Sequence, residues 1–322
     1  MTATDRMPGL VADLNFGGGS IDRRISSSGG ANGTRIGTAT LPVAATTPRL
    51  DCSTSTAGLI VGLRVEKSAT NLLANAAIDG SNLATQNRSV TAQAYTLSFY
   101  GTGSIALSGA ATTTLTGDAA YPSRKTLTFT PSAGTLTLTV TGTVQYAQLE
   151  TGTIATSFVP TGASAVTRSA DLPVLSGSNF SAVYNAAEGS IIMDMELPAL
   201  VNGEPLCIDD GTAANVIEVY RKSSTTLALY VRTANAVIAD LAATATYSGF
   251  GKVGFRWKAN DFAICVKGGT IGKVTSGAVP VGPNIMRIGH YRNPGSEHNA
   301  RIARMLMFNR ALPDAELQAR CT

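Results

Sequence analysis

Thr135-Leu136-Thr137-Leu138-Thr139-Val140-Thr141-Gly142 sets apolar and hydroxyl side chains in strict alternation and ends on a glycine. Successive side chains of a strand point to opposite faces. Leu136, Leu138 and Val140 therefore share one apolar face and the threonines form the other. A helix would scatter the same residues around its circumference. Working outward, Leu127 and Phe129 alternate with threonines, and Leu97 and Phe99 alternate with Ser98 and Tyr100. Gly101-Thr102-Gly103 then turns the chain into Ile105 and Leu107, and Val144 and Tyr146 lead on to Leu149. These are strands of sheets with one buried face.

The second half repeats the pattern. Ile191 to Leu197, Val216 to Tyr220, Leu227 to Val231 and Val237 to Leu241 are short apolar segments at even spacing, the mark of a sandwich. Val253, Phe255 and Trp257 share a face opposite Gly254, Arg256 and Lys258, which makes Trp257, the single tryptophan, a core residue. Phe262, Ile264 and Val266 follow, and the segments 285–288 and 302–308 supply the last pair. Only 313–318 reads as a helix, with proline at its start and acids in its first turn.

Composition agrees. The chain has 322 residues, enough for two cores; 44% are apolar, and the 14% that are charged fall well short of the usual quarter. The remainder is rich in Thr, Ser, Ala and Gly, which favour strands and tight turns. A net charge of +4 without any run of Lys or Arg excludes the usual footprint of nucleic-acid binding. The four cysteines, Cys52, Cys207, Cys265 and Cys321, lack metal-type spacing, and Cys265 reads as a small core residue. The polar start shows no secretory signal and the apolar runs are too short for a bilayer helix, so synthesis in a bacterial cytoplasm without membrane insertion is expected.

Three segments follow from these readings. Residues 1–47, with Gly17-Gly18-Gly19 and Gly29-Gly30 and few large apolar side chains, are expected to run extended and to serve attachment or oligomerisation. Residues 48–165 form a first β-sandwich and 174–322 a second, with the polar stretch 159–173 as the boundary. The fold class expected is all-β: two tandem jelly-roll sandwiches, an extended N-terminal segment and one short C-terminal helix.

Two resemblances sharpen this. Residues 301–317, an apolar strand followed by Asn309-Arg310-Ala311-Leu312 and a short acidic helix, resemble the end of concanavalin A-like, laminin-G-like jelly rolls. The hairpin 252–269, with Trp257, resembles the strands that precede that end. The first half is similar to a carbohydrate-binding-module-like unit of tailed-phage fibres, head spikes and gene transfer agents. It carries Pro48-Arg49-Leu50-Asp51, Gly58-Leu59-Ile60, Glu66 and Thr70-Asn71-Leu72-Leu73. It also carries Tyr95 to Gly103, Leu127 to Pro131, Ala147-Gln148-Leu149-Glu150 and Ser157-Phe158-Val159-Pro160-Thr161. What the resemblance implies is a virion fibre or head-spike protein that binds host cell-surface polysaccharide, contacts other capsid proteins and assembles as a homotrimer.

Three constellations bear chemistry. Asp194-Met195-Glu196 places acids at alternate positions of a strand, as in β-glucanases of this fold class, but the third acid such sites use is Ile192 here. The expectation is therefore no enzyme, with a polysaccharide depolymerase or glycosidase as the rival and a ligand-free decoration protein as a third reading. Asp209, Asp210 and Asn215 offer oxygen ligands for Ca²⁺ at a loop rim, or ordinary turn chemistry; no other cofactor is expected. The loop 290–299 holds both histidines. Its Tyr291, Arg292, Asn293, His298 and Asn299 suit a sugar-recognition rim, against the alternative of a solvated connection.

Overall fold

The computed structural model describes residues 7–30, 34–38, 41–44, 48–52, 60–197, 203–244, 249–293 and 295–322. Strands dominate, as the alternation predicts, and among the described residues the α-helices are the short Gly177–Ser181 and Asp314–Arg320. No helix there is long and apolar enough to cross a membrane. The chain forms two compact units, one of Gly29–Ile60 and Ser68–Ala170, the other of Met1–Ser28, Val61–Lys67 and Asp171–Thr322.

In the first unit a four-stranded antiparallel sheet runs in the order Thr113–Thr116, Ser104–Gly109, Gly134–Thr141, Gln86–Val90. A three-stranded sheet runs Ala119–Phe129, Tyr95–Gly101, Gln145–Thr151. Ile105 pairs with Val140 and Leu107 with Leu138, so the apolar faces coincide and pack with Leu97, Phe99, Tyr146 and Leu149. Tyr95–Gly101 is buried along its whole length, including Thr96 and Ser98. Polar groups cover its second face: Arg124 reaches Ser98 Oγ at 2.6 Å and the Thr156 carbonyl at 2.5 Å.

Four of the motifs quoted for the first half, those that carry Arg49, Asn71, Gln148 with Glu150, and Ser157 with Val159, supply buried polar groups of this unit. The Asn71 amide donates to the carbonyls of Ala147 and Val159 and accepts from the N–H groups of Leu73 and Leu149. Gln148 accepts from the Val159 N–H and donates to Glu150, which in turn binds Thr156. Arg49 donates to the Thr34 carbonyl and to Ser157 Oγ. Buried polar groups must be paired, so these residues specify a fold rather than a ligand.

The second unit is a sandwich of two larger sheets. One runs Gly272–Val274, Phe262–Val266, Phe250–Lys258, Glu188–Glu196, Ala300–Phe308. The free side of the last strand pairs with Leu10–Asn15 near Phe308 and with Leu63, Arg64 and Val65 near Ala300. The other sheet runs Ser26–Ser28, Leu172–Ser176, Ile285–Ile288, Leu206–Asp209, Val216–Ser223, Thr226–Thr233, Ala236–Thr244. Val253, Phe255 and Trp257 lie in the core at 0–1% exposure, and the indole N–H reaches the Asn185 carbonyl at 3.0 Å. On the opposite face of the same strand Gly254 and Arg256 are buried and Lys258 is exposed. The C-terminal helix covers Gly254 and Arg256, and Arg256 is held by Asp261 and Asp314 at 2.7 and 2.5 Å.

The divisions of the chain differ from the expected 1–47, 48–165 and 174–322. Residues 10–28 are not an independent extended arm: Ala12, Leu14 and Phe16 point into the second sandwich at 5%, 0% and 0% exposure, and Ser26–Ser28 adds an edge strand. Too short to fold alone, this apolar face is buried by a sheet formed mostly from the far end of the sequence. The stretch 159–173 is likewise not a free linker, since Val166–Arg168 pairs with Ala69–Asn71. Residues 45–47 and 53–59 lie outside the described residues, so the Gly58-Leu59 part of the first-half motif does too.

Candidate functional site

The 290–299 loop follows the strand Ile285–Ile288. Its base is closed by the His298 N–H on the Gly289 carbonyl at 2.7 Å, and the Glu204 N–H bonds the Ser296 carbonyl at 3.0 Å. The five residues expected to contact sugar then separate. His298 is buried with its Nε2 against the Glu196 carbonyl at 2.9 Å, and burial pushes its pKa down to about 4, which keeps the ring neutral. Asn299 donates to the Glu297 carbonyl and accepts from the Lys67 N–H. Both are committed to holding the loop in place. Tyr291 and Arg292 are half-buried and Asn293 is exposed. The Arg292 guanidinium stacks 4.2 Å from the Tyr291 ring centre and donates to its hydroxyl.

This stack joins a polar sheet face that sequence reading missed. Antiparallel register sets Arg287, Cys207, Glu218, Tyr230 and Asp240 in a row across five adjacent strands. Cross-strand neighbours project their side chains from one face, while Leu206, Ile208, Ile217, Val219, Leu229 and Val231 fill the core from the other. Beside the row, Arg232 stacks 5.4 Å from the Tyr230 ring centre and donates to its hydroxyl at 2.6 and 3.0 Å. Tyr220 meets the Tyr230 ring edge-on at 6.3 Å and donates to Asp240 at 2.9 Å.

Two carboxyl groups, Glu204 and Glu218, sit within the electrostatic reach of Arg292. Burial, reinforced by the charge of Glu218, pushes Glu204 up to about 8. Burial pushes Glu218 up to about 7 against the pull of Arg292 and Arg232. Glu204 Oε2, Glu218 Oε2 and Arg292 Nη1 are buried atoms without a hydrogen-bond partner among the described residues. Unmet donors and acceptors of this kind are costly when buried. The signal in the sequence was the polar half of two alternating strands, Glu218 and Tyr220, then Tyr230 and Arg232. Their meeting depended on the register of the intervening turn.

The other candidates are engaged elsewhere. Asp209 is fully buried and pairs with Arg287 at 2.8 Å and the Gly211 N–H at 2.7 Å. Asp210 accepts from Thr212 and from the Asn215 amide, whose own oxygen accepts from the Ala234 N–H. The three residues expected to hold Ca²⁺ thus do not turn their oxygens to a common point, and Asn215 offers Asp210 a donor. Among the described residues no three of His, Cys, Asp and Glu gather as a metal-holding group. On the other sheet, Asp194 lies between Lys252 and Arg304 in register, and Glu196 is gripped by Arg301 through two bonds of 3.0 Å. A separate cleft of about 620 Å³, walled by Phe180, Tyr184, Pro283 and Ile285, has no charged residue in its lining.

No protein-family model matches the chain, and no curated protein matches its sequence. Among solved structures it is similar to the CBM40 module of the Ruminococcus gnavus IT-sialidase bound to α2,3-sialyllactose. That match has 17% identity and a TM-score of 0.37 over 42% of this chain and 83% of the module. It is similar to the leech intramolecular trans-sialidase at 14% identity and TM-score 0.39, over 45% of this chain and 24% of that one. A third similarity is to the binding domain of botulinum neurotoxin DC in complex with SialylT, at 11% identity and TM-score 0.36, over 47% of this chain and 38% of that one. Each likeness covers less than half of this chain.

Proposed function

We propose that the chain is a non-catalytic glycan-binding protein, and that the sugar lies on the outer sheet face of the second sandwich around Tyr220, Glu218, Tyr230, Arg232, Tyr291 and Arg292. One observation carries this reading. Two arginine-on-tyrosine stacks border two buried carboxyl groups, each with one oxygen that lacks a partner among the described residues. Ring faces suit the apolar side of a pyranose, and the guanidinium and carboxyl groups suit its hydroxyls. Non-catalytic binding is favoured because the one pair of acids at alternate strand positions, Asp194 and Glu196, is flanked or gripped by basic side chains. The finer reading follows the motif order of the first half: a fibre or head-spike protein of a virion, assembled with other capsid proteins as a homotrimer, attaching to host cell-surface polysaccharide.

The test is the whole chain on a glycan array that includes bacterial surface polysaccharides, with reducing ends measured on every glycan bound. Binding without release of reducing ends is the expected result. Release would establish the depolymerase instead, and absence of binding to any glycan would leave the decoration protein.

A further inference from the structure

Gly254 stands directly opposite Cys265 in the pairing of Phe250–Lys258 with Phe262–Val266. Cross-strand partners project from the same face about 5 Å apart, so a side chain at 254 would lie beside the Cys265 sulfur. Glycine leaves that space empty, and the Cys321 sulfur fills it: a Cβ added to Gly254 would collide with Cys321 Sγ. The Cys265 thiol donates to the Gly269 carbonyl at 3.3 Å, and the Cys321 sulfur takes the place that a side chain at 254 would fill beside it. Both are buried, within a cluster that includes Ile192, Phe308 and Leu317. The C-terminal helix that delivers Cys321 is fixed independently, by Arg256 on Asp314 at 2.5 Å and by Arg310 on Glu316 at 2.8 Å. We propose that Cys265 and Cys321 are an oxidisable pair that closes into an intrachain disulfide, locking the C-terminal helix onto the sheet of the second sandwich when the protein meets an oxidising medium.

The oxidant is a small-molecule disulfide of the glutathione class. One cysteine thiolate displaces half of it, and the second cysteine displaces that half in turn. One S–S bond forms in the chain and one breaks in the reagent, and two electrons and two protons leave as two small thiols. Burial pushes both thiols up, so thiolate is scarce at neutral pH and closure is slow unless the helix opens. The two cysteines are far apart in sequence, and a bridge that closes a long loop constrains the unfolded chain strongly.

The whole chain is held in reduced or in oxidised glutathione at mildly alkaline pH, free thiols are alkylated, and the protein is digested with trypsin. The oxidised sample should yield one linked species joining residues 259–267 to residues 321–322. Its Tm should exceed that of the reduced sample by roughly 5–10 °C. Cys265→Ala and Cys321→Ser should each abolish that difference while the wild-type linkage stands on its own. Alkylation of both cysteines in the oxidised sample, glutathione adducts alone, or equal Tm in the two states would overturn the proposal.

Discussion

A carboxyl group covered by a sheet face and a crossing loop loses hydration that its charged form needs, and Glu204 and Glu218 are in that position. Their pKa values are pushed up from 4.5 to about 8 and about 7. Between these limits the folded chain holds protons that the unfolded chain has released. The linkage relation then makes stability fall as pH rises through the window. Glu204→Gln mimics the protonated form without the titration. It should match wild type near pH 4 and be the more stable protein near pH 8, as read by urea denaturation across that range. His298 works with the opposite sign. Its ring stays neutral down to about pH 4, so the unfolded chain gains protons first and stability is lost as pH falls from 6.5. A Glu204→Gln curve that parallels wild type at every pH would mean the carboxyl is not held as described.

At the scale of elements, alternation was enough to find the strands, because period-two patterning survives wherever one face is covered. It could not show which strands were covered twice. Ser98 reads as an outward residue and is buried together with Thr96, since Arg124 covers it and the Gly152 carbonyl takes the Thr96 hydroxyl, both remote in sequence. The same limit applied to the 290–299 loop. Composition singles out polar groups but cannot separate Arg292, which faces the sheet, from His298 and Asn299, which hold the loop. The buried network of the first sandwich gives a direct check. Asn71→Ala strands two carbonyls and two N–H groups in a fully buried place. It should lower stability by about 3–5 kcal/mol in denaturant unfolding, with glycan binding intact. In the second sandwich, Gly189 sits opposite Trp257 so closely that an added Cβ would overlap the indole. Gly189→Ala should cost about 1–3 kcal/mol by overpacking, and an unchanged midpoint would show that the indole moves aside freely.

For the whole molecule, the division of the chain matters more than its length. Strand patterning predicts two sandwiches and leaves the early residues apart, because a segment with little apolar surface gives no sign of the sheet that covers it. Leu10–Asn15 completes the strand Ala300–Phe308, and Leu14 and Phe16 fill the core beside it. Removal of residues 1–28 should therefore leave an open sheet edge, lower the Tm of the second sandwich and promote aggregation. A truncated chain as stable and soluble as the full one would contradict this packing. The proposed glycan surface is a property of the same scale, since its residues come from two strands, Val216–Ser223 and Thr226–Thr233, and from the loops that carry Glu204 and Tyr291 with Arg292. Its most direct test is calorimetric titration of one array-selected glycan into three proteins: wild type, Tyr230→Ala with Arg232→Ala, and Asp194→Asn with Glu196→Gln. The first double variant should bind at least about tenfold more weakly, or about 1.4 kcal/mol, with its Tm nearly unchanged, and the second should bind as wild type. Full affinity in the Tyr230/Arg232 variant, or loss confined to the Asp194/Glu196 variant, would place the sugar on the other sheet and contradict the account.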